Sequence, residues 1–443
     1  MKKTLSILLI MMFLILTACS STDDSKQPSS NTNDKEQTDD KDAGTEKGTE
    51  PAEETKPVTL TVMPMSVGIS EEDFKLLFTD PVKAKYPNIT VELFKGPEGA
   101  GLEELIAAKN TPDMMLIWNG AMPSAKQYEM FQDITPYIEA EGVDINRFEP
   151  VVLETIRNVS DNGELYGLPF AMQLNALYYN KEIFDKFGVS YPTDGMTWEQ
   201  VTDLAKKVTG KIDGTQFSGL SPEHLERLSF PLSIVTIDAK TNKASINNDQ
   251  WKLAFETAYN IYKIPGNEKD KAWAFLDKTG AMVAAMNIFP NLMQMSAEGF
   301  TNWDVVQYPS FPGHENTYGM VDAHILTINS TSEHPEEAMK AISVITSDEV
   351  QKLSASKTMR VTALTSPEVQ NAFGADNPHM KGKNIAGVFK SKPAPAPVFS
   401  PFNGDGMGIA NQKFDEYLAG KDLNTALREA EEEINKVLAE KQQ

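Results

Sequence analysis

The chain has 443 residues, a formal charge of −22 and a single cysteine. Such a charge argues against nucleic acid or anionic headgroups as partners, because phosphate binding needs a basic face, and one cysteine excludes disulfides within the chain and thiolate metal clusters. With 40% hydrophobic and 9% aromatic residues, the chain can bury the cores of two domains of ordinary size.

In chain order, Met1-Lys2-Lys3 and the apolar run Leu5 to Leu16 have the build of a secretory signal too short to span a bilayer. The run ends in "LTACSS", where the sole cysteine, Cys19, follows Leu-Thr-Ala. That ending resembles the lipobox of bacterial lipoproteins. The resemblance implies a signal peptide over residues 1–18 and a lipidated Cys19 at the mature N-terminus, on the outer face of a Gram-positive type of cell membrane; the alternative is an ordinary signal with an incidental cysteine. From Ser20 to Pro57 there is no aromatic residue and Ala is the only aliphatic one. Such a segment cannot bury enough apolar area to offset its ordering entropy, so 19–57 reads as a disordered acidic tether, with a root-mean-square reach on the order of 30–40 Å as a flexible coil.

"VTLTVMPM" then alternates Val58, Leu60 and Val62 with threonines, as a half-buried strand does. A helix is expected over Glu71 to Lys85, a strand at "NITVELF", a helix around Leu102 to Lys109 and a buried strand at "MMLIW", Met114 to Trp118. This alternation reads as a parallel sheet covered by helices, and ligands gather at the carboxyl ends of such strands, which draws attention to "WNGAMPS". Helical spacing recurs from Trp198, behind Thr197 as a plausible N-cap, again around Trp251, and over Asp422 to Glu440, where Leu423, Leu427, Ala430 and Ile434 form one stripe. Alternating prolines make "SKPAPAPVFSPF" extended.

Three stretches carry a family likeness: "YGLPFAMQLNALYYNKEIFDKFGVSYPTDGMTWEQ", "PDMMLIW" and "HILTINSTSEHPEEAMKAISVITSDEVQ". With the closing "YLAGKDLNTALREAEEEINKVL" they resemble, in order, the extracellular solute-binding proteins of ATP-driven (ABC) importers, in the maltose-binding-protein-like group. The resemblance implies a two-lobed α/β fold, the type II periplasmic-binding-protein clamshell, with hinge crossovers and a C-terminal helical segment. It places lobe 1 at 58–171 and 303–350, and lobe 2 at 172–302 and 351–443. A ligand that touches both lobes favours the closed form, which the membrane permease would recognise. It further implies a monomer without cofactor, metal or catalytic residues.

Sugars offer hydroxyls that need paired donors and acceptors, and C–H faces that lie on aromatic rings, so a sugar site combines aromatics with amides and charged groups. Trp118 and Asn119 at the strand end, and Gln173 and Asn175 where relatives cross between lobes, are candidates on those terms. Core packing is the alternative for Trp118, and satisfied interior amides for the other pair. Asn287 and Phe289 stand where the family offers pocket residues; Trp303 is a candidate that could equally start the strand "WDVVQYP". Asp322 and His324 precede a buried strand, Arg360 could clamp hydroxyls or a uronate carboxylate, and Phe402, Asn403 and Asp405 suggest a third pocket wall.

The expected function is therefore capture of a carbohydrate, an oligosaccharide by preference, for an ABC importer. A secreted carbohydrate-active hydrolase is the rival class. The sequence has neither Gly-x-Ser-x-Gly nor His-Glu-x-x-His, although its carboxylates are plentiful enough to supply a glycosidase pair. Peptide and polyamine ligands remain open.

Overall fold

The computed structural model describes residues 56–97, 99–271 and 273–441. The signal peptide, Cys19 and the tether up to residue 55 lie outside the described residues. Two five-stranded sheets carry the fold. Across the first, the strands run Ile89–Leu93, Val58–Met65, Met114–Trp118, Ala323–Ile328, Gly167–Met172; across the second, Trp303–Gln307, Asn175–Asn180, Gly280–Met286, Thr215–Ser221, Gly210–Ile212. Neither is purely parallel. Ala323–Ile328 runs against both of its neighbours in the first sheet, and Asn175–Asn180 against both of its own in the second.

The antiparallel strands mark the crossings. The chain leaves the first sheet at Met172 and enters the second at Asn175, then returns between Gln307 and Ala323. The return therefore falls later than the expected residue 303: Trp303–Gln307 is hydrogen-bonded along Asn175–Asn180, inside the second sheet. The boundary at 351 also moves. Phe148 bridges to Leu364 and Glu149 N–H donates to Ala363 O at 2.8 Å, and Val350, Leu364 and Val369 lie in the first lobe's core. Met359, Val361, Phe373 and Met380 pack on the second, so residues 351–373 straddle the lobes. Beside the crossings, Thr317–Met320 pairs in parallel with the Pro-rich strand Lys392–Ala394.

Local chemistry accounts for the elements. All of "NALYYN" is buried because the second sheet is covered on both faces: Leu177 and Tyr179 face one core, Ala176 and Tyr178 the other. Thr197 caps Trp198–Val208 in a reciprocal capping box, accepting from Gln200 N at 3.3 Å while Gln200 Oε1 accepts from Thr197 N at 2.9 Å. The expected helix Glu71 to Lys85 is interrupted by a wider turn over Lys75–Thr79, where Asp80 N–H reaches back to Lys75 O. Pro81 follows at once. A proline cannot donate to the carbonyl four residues earlier, and the π-type turn absorbs that mismatch. The C-terminal helices Asn403–Leu418 and Leu423–Lys441 bury Phe414, Leu427, Ala430 and Ile434 against the second lobe.

Candidate functional site

The carboxyl ends of Met114–Trp118 in the first sheet and of Thr215–Ser221 and Gly280–Met286 in the second meet at the crossings, with Asp322 and His324 between them. Trp118 ends its strand half-buried, opposite His324 in the antiparallel pair. Its ring folds back over Gly120, where a Cβ would come within 2.3 Å of the indole, and it lies against Phe399 with centroids 5.4 Å apart. Gly120 is thus needed for close approach.

Asn119 is buried and fully occupied. Its Nδ2 donates to Val321 O at 3.2 Å and its Oδ1 accepts from Ala323 N at 2.8 Å, so it splices the strand end to the return crossing. Gln173 is half-buried in the first crossing, held by its backbone N–H on Asp322 O at 2.8 Å. Asn175 is buried, donating from Nδ2 to Tyr318 O at 2.8 Å, while its Oδ1 has no partner.

Of the ionisable groups here, Asp322, His324 and Arg360 were sequence candidates, whereas Glu223, Arg227 and Glu226 were not. Glu223, 1% exposed, follows the strand Thr215–Ser221 with φ at +63°, a conformation that non-glycine residues adopt at some cost. The turn aims its carboxylate inward: Oε2 accepts from Met286 N at 3.0 Å and from Arg227 Nε at 3.2 Å, and Oε1 is buried without a partner. Arg227 also donates from Nη1 to Asp322 Oδ2 at 3.4 Å and from Nη2 to Met286 Sδ at 3.2 Å, joining a second-lobe helix to the return crossing. Burial works against the guanidinium charge, but Glu223, Asp322 and Glu226 outweigh it. Burial pushes Asp322 above the usual carboxylate range, with Arg227 and the Trp118 indole pulling it back, and burial raises Glu226 likewise. His324, 6% exposed, is driven down to about 3 by burial and then by the Arg360 charge, so it is neutral at physiological pH. Arg360 itself is held by Asp73 at 3.1 Å and lies over the Phe170 ring at 5.9 Å.

Other candidates fall elsewhere. Phe289 is wholly buried, edge-on to Tyr178 at 5.2 Å, and Trp303 is wholly buried with Nε1 donating to Ser296 Oγ at 2.8 Å; both are core residues. Trp303 pairs with Asn180, at the end of its strand remote from the crossing. Asn287 secures the turn after Met286, donating to Met359 O at 2.7 Å and accepting from Phe289 N at 3.1 Å. The segment expected as a third wall meets the first lobe ahead of Phe402: Phe399 lies against Trp118 and Pro401 O accepts from Ser124 Oγ at 3.1 Å. Beyond it, Phe402 packs beneath Lys441, Asn403 is buried at the head of the helix Asn403–Leu418, and Asp405 pairs with Lys441 at 2.7 Å on the surface. Glu223 and Arg227 could have been found by the carboxyl-end rule that singled out Trp118, applied to the strand before "SPEHLERLSF".

The sequence profile of the bacterial extracellular solute-binding proteins matches residues 78–382. The chain belongs to that family. Among curated relatives, this solute-binding protein is 25% identical over 294 residues to a putative binding protein of Brucella abortus, a match covering 59% of this chain and 65% of that one. It is 29% identical over 168 residues to the arabinooligosaccharide-binding protein of Bacillus subtilis, covering 35% and 37%. The match thus spans less than two thirds of these relatives. The fold is that of an ABC substrate-binding protein from Listeria monocytogenes solved in complex with cycloalternan, at a TM-score of 0.70 and 20% identity, covering 87% of this chain and 100% of that one. Among the described residues of this solute-binding protein, no helix is long and apolar enough to cross a membrane.

Proposed function

We propose that the chain captures a carbohydrate, an oligosaccharide by preference, between its lobes and delivers it as a monomer to an ABC importer. The observation that carries this reading is the Trp118 ring, half-buried at the cleft against Phe399 and beside Asp322, which Arg227 links to Glu223. An aromatic face among groups that donate and accept is what a sugar's C–H face and hydroxyls require. The Bacillus and Listeria proteins, whose names and titles carry oligosaccharides, support the same substrate class. Membership in a family of binding proteins supports binding without turnover.

A thermal-shift panel of mono- and oligosaccharides tests the reading: a cognate sugar at 100 times its dissociation constant adds about 2.7 kcal/mol of stability, and the sugar is recovered unchanged. If no saccharide raises the transition while a peptide or polyamine does, the substrate class is wrong; if the sugar is cleaved, the protein is a hydrolase. In the same reading Cys19 is the lipid attachment point, so Cys19→Ser moves the protein from membrane to soluble fraction without altering affinity.

A further inference from the structure

Deepening the carbohydrate reading and resting on it, we infer that the captured saccharide carries a free, protonated amine, and that Glu223 with Asn175 receives it. Charge and two unmet acceptors point the same way. Two guanidinium groups reach the cleft, and each is already held by carboxylates: Arg360 by Asp73, Arg227 by Glu223 and Asp322. His324 is neutral there. Glu226 adds a further carboxylate to the field around Arg227. With Glu223, Asp322 and Glu226 ionised, three carboxylates face the single Arg227 guanidinium and the balance is negative, which repels a uronate and attracts a cation.

Beside the unmet donors Trp118 Nε1 and Arg360 Nε stand two unmet acceptors. Glu223 Oε1 and Asn175 Oδ1 are both buried without a partner, in side chains 1% and 3% exposed. They flank one residue, Met286: its backbone N–H donates to Glu223 Oε2 at 3.0 Å, and Asn175 is its partner across the antiparallel pair. A buried carboxylate oxygen and a buried amide oxygen each cost stability until a donor arrives. An alkylammonium brings three donors and the missing charge together. A hydroxyl brings one donor and no charge, and an N-acetyl group replaces the cation with a neutral amide.

The test is calorimetric titration of the full chain at pH 6 with matched triples: free amine, N-acetyl and hydroxyl forms of the same sugar, in gluco and galacto series, as mono- and oligosaccharides, with oligouronates alongside. The expected result is that the free amine binds at least tenfold more tightly than its two neutral counterparts, with the advantage fading as pH rises past the amine's pKa. Glu223→Gln abolishes that advantage, so that the variant binds the amine and hydroxyl forms of one sugar with the same affinity. Should the variant fail to fold, the pH dependence of the native protein's selectivity decides alone. Equal or tighter binding of a neutral or uronate form overturns the amine inference and leaves the carbohydrate reading standing. Failure of every saccharide overturns both.

Discussion

The two rims of the cleft are built on different terms. On the first-lobe rim the polar side chain at the strand end, Asn119, spends both its functional atoms on the backbone of Val321 and Ala323, and His324 is buried and neutral. On the second-lobe rim, Glu223 and Arg227 are buried as ions, the arginine shared with Asp322 across the crossing. A rim whose amide is satisfied by its own backbone is a wall; a rim of buried ions is poised, because its interactions change when the lobes move or a ligand arrives. The residue types most easily read as sugar contacts, the amides, are thus partly structural, while the charged groups are the ones left poised to change.

The sharpest way to break this comparison is to remove the shared cation. Arg227→Met leaves Glu223 and Asp322, whose side chains are 0% and 10% exposed, without their counter-charge. Stranding a buried charge costs about 3–5 kcal/mol, and denaturant titration should show a loss of that order. Adding Glu223→Gln and Asp322→Asn should recover much of it, since the penalty belongs to the stranded carboxylates. A loss below about 1 kcal/mol would mean the ions are solvated like surface pairs, and the contrast between the rims would collapse.

Next in size is the pH dependence of His324. Its folded pKa, about 3, lies below the unfolded value near 6.5, so the unfolded chain binds the proton first. The stability of keeping it neutral is present above pH 6.5 and drains away as pH falls toward 3, by at most about 4–5 kcal/mol. Asp322 and Glu226 act with the opposite sign: burial holds them protonated more readily in the fold, so acid relieves them. The difference between native protein and His324→Asn isolates the histidine, and that difference should shrink between pH 6.5 and 3. A constant difference would place the ring in contact with water.

Much of the framework was legible in the sequence, because alternation at Val58, Leu60 and Val62 and the Thr197 to Gln200 box depend on neighbours within a turn or a strand. The two-lobed arrangement came from the ordered family motifs and not from periodicity. What stayed hidden depends on distant partners. Glu223 and Arg227 are only four apart, but nothing near them in sequence shows that Asp322, 95 residues beyond Arg227, closes on them. Trp303 begins an apolar strand, and nothing local says which sheet the strand joins or which of its ends faces the cleft. Phe289 was misplaced for a similar reason: its burial depends on Tyr178 and Phe373, contributed by two other segments.

Two substitutions at neighbouring positions then sharpen the contrast between wall and contact. Asn119→Ala leaves a buried Ala323 N–H without its acceptor and should cost about 1–3 kcal/mol of stability, with affinity changed mainly through the displaced crossing. Trp118→Ala should do the reverse: a loss of tenfold or more in saccharide affinity, ~1.4 kcal/mol, with a smaller fall in the melting temperature of the unliganded protein. If Trp118→Ala destabilises the free protein by several kcal/mol and spares affinity, the ring belongs to the core with Phe399, and the carbohydrate reading loses its main support.

The smallest expected effect bounds the site. Asp405 stands in the first turn of Asn403–Leu418, where a carboxylate is favoured by the helix N-terminus. Its partner is Lys441 at 2.7 Å, and the two side chains are 38% and 44% exposed. Exposed pairs of this kind contribute about 0.2–1 kcal/mol and are weakened by salt. Asp405→Ala should therefore shift stability by no more than that, less at high ionic strength, and leave saccharide affinity unchanged. A fall in affinity beyond about threefold, ~0.6 kcal/mol, would extend the third wall past Pro401 into the helix, and the ion pair with Lys441 would then have to open for the ligand to bind.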